Sequence, residues 1–279
     1  SDTLSVQLSL DSLPDSTHYP VDLHVYLADQ PSGTAGDVRL GSVSIAAPGV
    51  AVFNLSGASA FGVGGGDRLV ATAIDALGNT SEFSASVIVQ GAGTFVVDSL
   101  GDDGDTLLGD GLCSDEGGFC TLRAAIEEAN ANPVRDTIAF GFPGTDPVTI
   151  TPATSLPSIT TPILIDGLTA GGASCASWPP QLRITIDTSN SSFAGLFVDG
   201  TLGRLDLRGV VLNGSPLGGI GYLVWLGGFT SSSTFRCNFF GTDVTGTQVV
   251  GRSLHQVFAN GSSGNDFGGV SASSRNLFS

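Results

Sequence analysis

The residues best suited to hold a metal ion lie in a glycine-rich acidic stretch. Five aspartates fall within it: Asp98, Asp102, Asp103, Asp105 and Asp110. Calcium prefers several oxygen ligands, and a flexible loop of carboxylates can supply them. The spacing differs from that of an EF-hand loop and lacks its final glutamate. The stretch therefore predicts a candidate calcium site, with a solvated acidic loop as the alternative.

A second set of carboxylates offers the chemistry of polysaccharide cleavage, which uses a pair of carboxyl groups or calcium with a basic residue. The candidates are three aspartates at predicted corners: Asp166, Asp187 and Asp199. Turn geometry explains aspartate at such corners equally well. The chain has no lysine to act as a base, and its arginines are poor bases. We therefore assign no catalytic residue.

The four cysteines are Cys113, Cys120, Cys175 and Cys237. They form no CxxC pair, and the three histidines lie far from them in sequence, which disfavours a zinc site. Two disulfides are favoured instead. A Cys113–Cys120 bond would contribute about 2.5 kcal/mol and a Cys175–Cys237 bond about 4 kcal/mol on the chain-entropy model. Both bonds imply an oxidising compartment.

Composition narrows the class of protein. With 40 glycines, 13 prolines and 13% charged residues, the chain is expected to consist of short strands and tight turns. A formal charge of −16 disfavours nucleic acid as a partner, because phosphate binding needs a basic surface. No apolar run is long enough for a membrane-spanning helix. The absence of an initiating methionine and of a leader suggests an exported, trimmed product.

Residues 1–90 show the spacing of an antiparallel β-sandwich of immunoglobulin-like type. Short runs such as 21–28 and 82–89 have strand character, and turn signals such as Gly78-Asn79 separate them. In residues 21–28 apolar and polar side chains alternate, as in a half-buried strand. We place the domain boundary in the small-residue stretch around Gln90–Gly93.

Residues 91–135 contain the single predicted helix, Thr121–Asn130, which Pro133 ends. Its apolar stripe is Leu122, Ala125, Ile126 and Ala129. In residues 136–279 short apolar runs recur with polar corners, as in ILIDG at 163–167, LFVDG at 196–200 and VVLNG at 210–214. This repetition favours a parallel solenoid over a second sandwich.

Several segments resemble a known family. Residues 95–140, and above all CTLRAAIEEAN at 120–130, resemble the CSLREA-type domain that opens many secreted bacterial β-helix proteins, with Ala124 where the name motif has glutamate. CNFFGTDVTGT at 237–247, NDFGG at 265–269 and SRNLFS at 274–279 resemble the Asn-rich repeats of those β-helices. Residues 67–87 resemble the closing strands of immunoglobulin-like modules found in the same surface proteins.

The resemblance implies an all-β fold: an immunoglobulin-like sandwich followed by a right-handed parallel β-helix, with 121–130 as its N-terminal capping helix. No matching cap follows, so we expect the β-helix to be incomplete at its C-terminal end. An open edge can pair with another strand, which predicts head-to-tail self-assembly or contact with other cell-surface proteins.

The function expected from these features is that of an extracellular structural or adhesive surface protein. The alternative is a non-catalytic glycan-binding module that uses exposed aromatic rings, with polysaccharide as its partner. Three residues are candidates for this role: Trp178, Trp225 and Tyr222. Burial of these rings in the core would count against it. A polysaccharide lyase or hydrolase is the least favoured function.

Overall fold

The structure is a computed structural model, which describes residues 3–10, 18–28, 35–61, 63, 67–89, 91–214, 216, 221–230 and 232–279. The chain divides into two compact units, Ser1–Gly91 and Ala92–Ser279. The described residues form many short strands and one α-helix, so the protein is all-β, as composition predicted.

The described residues of the first unit form six strands: β1 (Thr3–Leu10), β2 (Val21–Ala28), β3 (Gly36–Ile45), β4 (Gly49–Ser56), β5 (Arg68–Ile74) and β6 (Val87–Ile88). They form two antiparallel sheets, one of β1 and β4 and one in the order β3-β2-β5-β6. The alternation predicted for 21–28 is present, since Val21, Leu23 and Val25 are buried and Asp22 is exposed. The core of this unit forms between the apolar faces of its strands.

The run 82–89, predicted as a strand, forms only the two-residue strand β6. Two serine hydroxyls explain the difference. Ser81 Oγ accepts a hydrogen bond from the backbone N–H of Ala73, and Ser84 Oγ accepts one from that of Ala71. In a regular antiparallel sheet these two backbone N–H groups of β5 would donate to backbone carbonyls of the neighbouring strand, but here they donate to the serine hydroxyls.

Where the second unit is described, it contains one α-helix, α1 (Leu122–Asn130), and fourteen strands: β7 (Thr94–Val97), β8 (Asp136–Phe140), β9 (Val148–Ile150), β10 (Pro162–Asp166), β11 (Ile184–Asp187), β12 (Ala194–Val198), β13 (Arg204–Arg208), β14 (Val210–Asn213), β15 (Tyr222–Leu226), β16 (Thr234–Arg236), β17 (Phe239–Phe240), β18 (His255–Ala259), β19 (Asp266–Phe267) and β20 (Leu277–Phe278).

These strands form three parallel sheets that the chain visits in rotation. Their orders are β7-β8-β10-β13-β16-β19, β9-β11-β14-β17-β20 and β12-β15-β18. From β10 to β18 the strands follow one another in sets of three, and each set contributes one strand to each of the three sheets. We call such a set a coil. The three coils are β10–β12, β13–β15 and β16–β18.

Equivalent apolar side chains stack from strand to strand inside this unit. The first ladder is Phe95, Ile138, Ile165, Leu207, Phe235 and Phe267. The second ladder is Ile150, Ile186, Leu212, Phe240 and Phe278. Side chains from all three sheets meet in one buried cluster, so each coil buries its apolar face against its neighbours.

The predicted helix is confirmed, with Thr121 as its N-cap. Thr121 Oγ1 accepts from the backbone N–H of Ala124 at 3.0 Å and donates to the carbonyl of Asp103 at 2.6 Å. The predicted stripe is buried: Leu122, Ala125, Ile126 and Ala129. Through it α1 packs on β7 and β8, the first two strands of their sheet.

Candidate functional site

The aspartates of the acidic stretch are not gathered into one site. Asp98 accepts a hydrogen bond from the backbone N–H of Cys120 at 2.9 Å. Asp102 forms an ion pair with Arg123 at 2.8 Å and also accepts from the backbone N–H of Ala153 at 2.8 Å. These two carboxylates, which were included in the predicted calcium site, therefore attach the loop to its surroundings, and the described residues with metal-ligand spacing do not include them.

Asp105 and Asp110 lie with Glu128, and we call these three residues the acidic cluster. One carboxylate oxygen of each lies within 4.8 Å of the other two. Glu128 projects from α1, is 1% exposed, and accepts from the backbone N–H groups of Gly109 and Gly111 at 2.6 and 2.5 Å. Among the described residues this is the one group of acidic side chains with metal-ligand spacing.

Sequence reasoning included Asp103 in the site and missed Glu128. Asp103 contributes its backbone carbonyl to Thr121 instead of a carboxylate to the acidic cluster. Glu128 follows Ala125 by three positions, so helical periodicity places it beside the buried stripe. That position was the available signal, because a glutamate there must find donors inside the protein.

Backbone donors hold the acidic cluster in place. Asp105 accepts from the N–H of Ser114 and Asp110 from that of Leu112, both at 2.8 Å. Burial raises the pKa of Glu128, and the charges of Asp105 and Asp110 raise it further, while its backbone hydrogen bonds lower it. Three carboxylates at this spacing offer oxygen ligands to a hard divalent cation.

Both predicted disulfides are present. Cys113 is joined to Cys120, which closes the loop directly before α1. Cys175 is joined to Cys237 across 62 positions of sequence. Cys175 lies between β10 and β11, and Cys237 lies between β16 and β17, so this bond ties the first coil to the third.

The candidate catalytic aspartates do not form a pair. Asp166 ends β10 and pairs with Arg208 at 2.6 Å. Asp187 ends β11 and accepts from the hydroxyl of Ser189 at 2.6 Å. Asp199 is exposed after β12. Asp166 and Asp187 end strands of two different sheets, and Asp199 follows a strand of the third. The contacts of Asp166 and Asp187 are those of strand corners.

A group of aromatic rings lies on the sheet of β12, β15 and β18, and we call it the aromatic patch. Its members are Phe193, Phe197, Tyr222, Trp225, His255 and Phe258. Phe197, Trp225 and Phe258 are aligned across the three strands, and Tyr222 is aligned with His255. Ring centroids are 4.7 Å apart for both Trp225–Phe258 and Tyr222–Trp225.

The aromatic patch lies on the outer side of its sheet. Val224 and Leu226 of β15 are completely buried, whereas Tyr222 and Trp225 of the same strand are partly exposed. His255 is exposed, and Phe193 is 40% exposed. The candidate rings Tyr222 and Trp225 are thus not buried in the core, as a glycan-binding role requires.

The polar atoms of the patch have no protein partner among the described residues. Tyr222 Oη, Trp225 Nε1 and the ring nitrogens of His255 make no side-chain hydrogen bond there. The patch thus combines ring faces with unused donors and acceptors.

Trp178, the third candidate ring, is separate from the aromatic patch. It is 38% exposed and makes an edge contact with Phe239, which belongs to a different sheet. Sequence reasoning missed Phe193, Phe197, His255 and Phe258 as ring neighbours. The signal that would have found them is the coil register, which aligns residues about thirty positions apart.

No helix in the part of the chain that the structure describes is long and apolar enough to cross a membrane. Comparisons of the whole chain found no matching family model, no matching curated protein and no matching solved structure.

Proposed function

We propose that this chain is an extracellular structural or adhesive surface protein of the CSLREA type, in which an immunoglobulin-like sandwich precedes a right-handed parallel β-helix. The observation that carries the proposal is the rotation of the chain through three parallel sheets with in-register apolar ladders. Such a stack gives a rigid body with long outer faces, which suits a scaffold or an adhesive surface.

Further support comes from the beginning of the stack. The strand β7 is an edge strand, and α1 packs on it and on β8. The Cys113–Cys120 bond closes the loop before α1, and Arg123 joins the acidic loop to the carbonyl of Ser155. We interpret this helix as a cap that blocks pairing at that edge. Two disulfides are compatible with an extracellular location.

The proposal is tested by displaying the full chain on cells and measuring their retention under flow. The surfaces are coated with extracellular polysaccharide or with the purified chain itself. We expect retention above that of non-displaying cells on at least one coating. If displaying cells are retained no better than non-displaying cells on every coating, and the chain is monomeric in solution, the proposal is overturned.

Head-to-tail assembly is a second candidate function, favoured by the exposed end of the ladders. Phe267 and Phe278 are 43% and 48% exposed, and they stack on Phe235 and Phe240 with centroids 4.8 Å apart. A strand of another copy paired with β19 would continue the first ladder, and one paired with β20 would continue the second. Light scattering and electron microscopy of the purified chain should detect filaments, and a monomer at all concentrations would reject assembly.

We extend the proposal to calcium at the acidic cluster, because an ion there would offset the repulsion among Asp105, Asp110 and Glu128. Millimolar calcium should raise the melting temperature relative to chelator, and Asp110→Asn should reduce that increase. Asp146→Asn, which changes an exposed aspartate outside the cluster, is the matched control. An unchanged melting temperature in the wild-type chain would reject calcium.

A further inference from the structure

We propose that the aromatic patch is the binding site for an uncharged polysaccharide. This inference rests on the proposed adhesive function and names its partner. The patch gathers six rings on the outer surface of one parallel sheet, with centroid separations from 4.7 Å for Trp225–Phe258 to 6.4 Å for Phe193–Phe197. A contiguous group of partly or fully exposed rings of this kind marks a contact surface more often than scattered apolar residues do.

The arrangement of the rings suits an extended chain. Adjacent strands of a sheet are about 4.8 Å apart, so rings on β12, β15 and β18 recur at that interval along the stack. Phe197, Trp225 and Phe258 form one such row, and Phe193 and Tyr222 contact Trp225 from the side. The patch therefore offers regularly spaced rings to a ligand that is a chain of repeating units.

The polar ring atoms, which make no side-chain hydrogen bond to any described residue, favour a sugar over a lipid as the ligand. A hydrocarbon chain laid on the rings would cover Tyr222 Oη, Trp225 Nε1 and the His255 nitrogens without giving them hydrogen bonds, at a free-energy cost. A pyranose ring presents C–H groups on its face and hydroxyls around its edge. It can stack on the aromatic faces and pair with the polar edges at the same time.

Charge indicates which glycans fit. The six patch residues include no carboxylate and no guanidinium, and the whole chain carries a formal charge of −16. An anionic glycan would be repelled and would find no arginine or lysine in the patch to pair with. A neutral glycan meets neither penalty. A second copy of the chain is disfavoured by size, because a stable dimer interface needs about 20 residues a side, whereas the patch has six.

The experiment measures binding of the full chain to neutral and anionic polysaccharides by affinity electrophoresis and calorimetry. The neutral probes are β-glucan, xylan and mannan, and the anionic probe is polygalacturonate. We expect binding to at least one neutral probe and none to polygalacturonate. Trp225→Ala should weaken binding by about tenfold, and Trp178→Ala, which changes the other tryptophan of the chain, outside the patch and 38% exposed, should leave it unchanged.

Two further measurements keep the test independent of folding. Phe193→Ala changes a patch ring that precedes β12 and is 40% exposed, so it should weaken binding without lowering the melting temperature. In Trp178→Phe the fluorescence reports Trp225 alone, since the chain has two tryptophans, and the neutral probe should shift its emission.

Several results would overturn the inference: no binding to any neutral probe, preference for polygalacturonate, capture by neutral lipid vesicles, or a dimer that Trp225→Ala dissociates. Each of these leaves the proposed function standing if displayed cells are still retained on another coating. Loss of all retention with glycan binding intact would reject the adhesive function and keep the binding site.

Discussion

The two units of this protein make their cores in different ways. In the first unit, antiparallel strands bury alternate side chains between two sheets, and its described core residues keep exposures from 1% to 8%. In the second unit, most ladder positions have exposures of 0% or 1%, and all four cysteines lie there in disulfides. The stacked coils thus bury their side chains more completely than the antiparallel sheets of the first unit do, and we expect stability to concentrate in the second unit.

Both tryptophans, Trp178 and Trp225, belong to the second unit, so their fluorescence follows that unit alone. The largest expected effect is that of Phe235→Ala, which removes a completely buried ring from the first ladder. It should lower the free energy of unfolding of the second unit by about 3–5 kcal/mol in urea titrations. The matched variant Phe53→Ala, in the first unit, should leave the tryptophan transition in place; a shift would mean that the units unfold together.

Removing the disulfides should separate their two contributions. The double variant Cys175→Ser/Cys237→Ser should lose about 4 kcal/mol, because the bond closes a long loop, and Cys113→Ser/Cys120→Ser should lose about 2.5 kcal/mol. The difference is read from the same urea titrations without reductant. Equal losses would contradict the loop-entropy explanation.

The second unit should also carry a pH dependence caused by Asp136, which is completely buried. Burial raises its pKa from 3.8 to about 6, although hydrogen bonds from Gly93 and Asn132 act in the opposite direction. The folded chain therefore holds a proton that the unfolded chain releases between these values. Its stabilising contribution is complete below pH 3.8 and is lost as the pH rises through about 6.

The measurement compares wild type with Asp136→Asn between pH 4 and pH 7. The wild type should lose on the order of 3 kcal/mol relative to the variant over this range. Subtracting the variant removes the contributions of the other carboxylates. Parallel pH curves for the two chains would show that Asp136 does not titrate in this way.

The smallest effect is expected at the start of α1. Thr121→Ala removes the N-cap hydroxyl that binds the N–H of Ala124 and should lower the free energy of unfolding by about 1 kcal/mol. Thr121→Ser keeps the hydroxyl and should restore most of the loss. If both variants are equally destabilised, the methyl group of Thr121 matters more than its cap.

Local patterns in the sequence predicted the parts of the fold that depend on nearby residues. The helical period identified the stripe of Leu122, Ala125, Ile126 and Ala129, and alternation identified β2. The cysteine pairing also followed from spacing and context. These features depend on contacts along the chain or on a covalent bond, so short-range chemistry was sufficient.

Long-range neighbours were not predictable from the same patterns. Tyr222 and Trp225 were candidates singly, but their contacts with Phe193 and Phe258 depend on the register between coils. The acidic cluster likewise needed Glu128, whose place is set by how α1 packs against the loop. The aspartates before the helix looked equivalent in sequence, but Asp102 pairs with Arg123, whereas Asp105 and Asp110 lie beside Glu128.

The Cys175–Cys237 bond has a consequence for a chain under tension. A force applied to the two ends of the protein would pass through the sulfur bridge and bypass the 62-position segment between the cysteines. Stretched at about 3.5 Å per residue, that segment would be roughly 200 Å long. While the disulfide is intact, the force cannot extend this segment. The central coil, which carries Tyr222 and Trp225, lies within the segment and is therefore not stretched when other parts of the chain are extended.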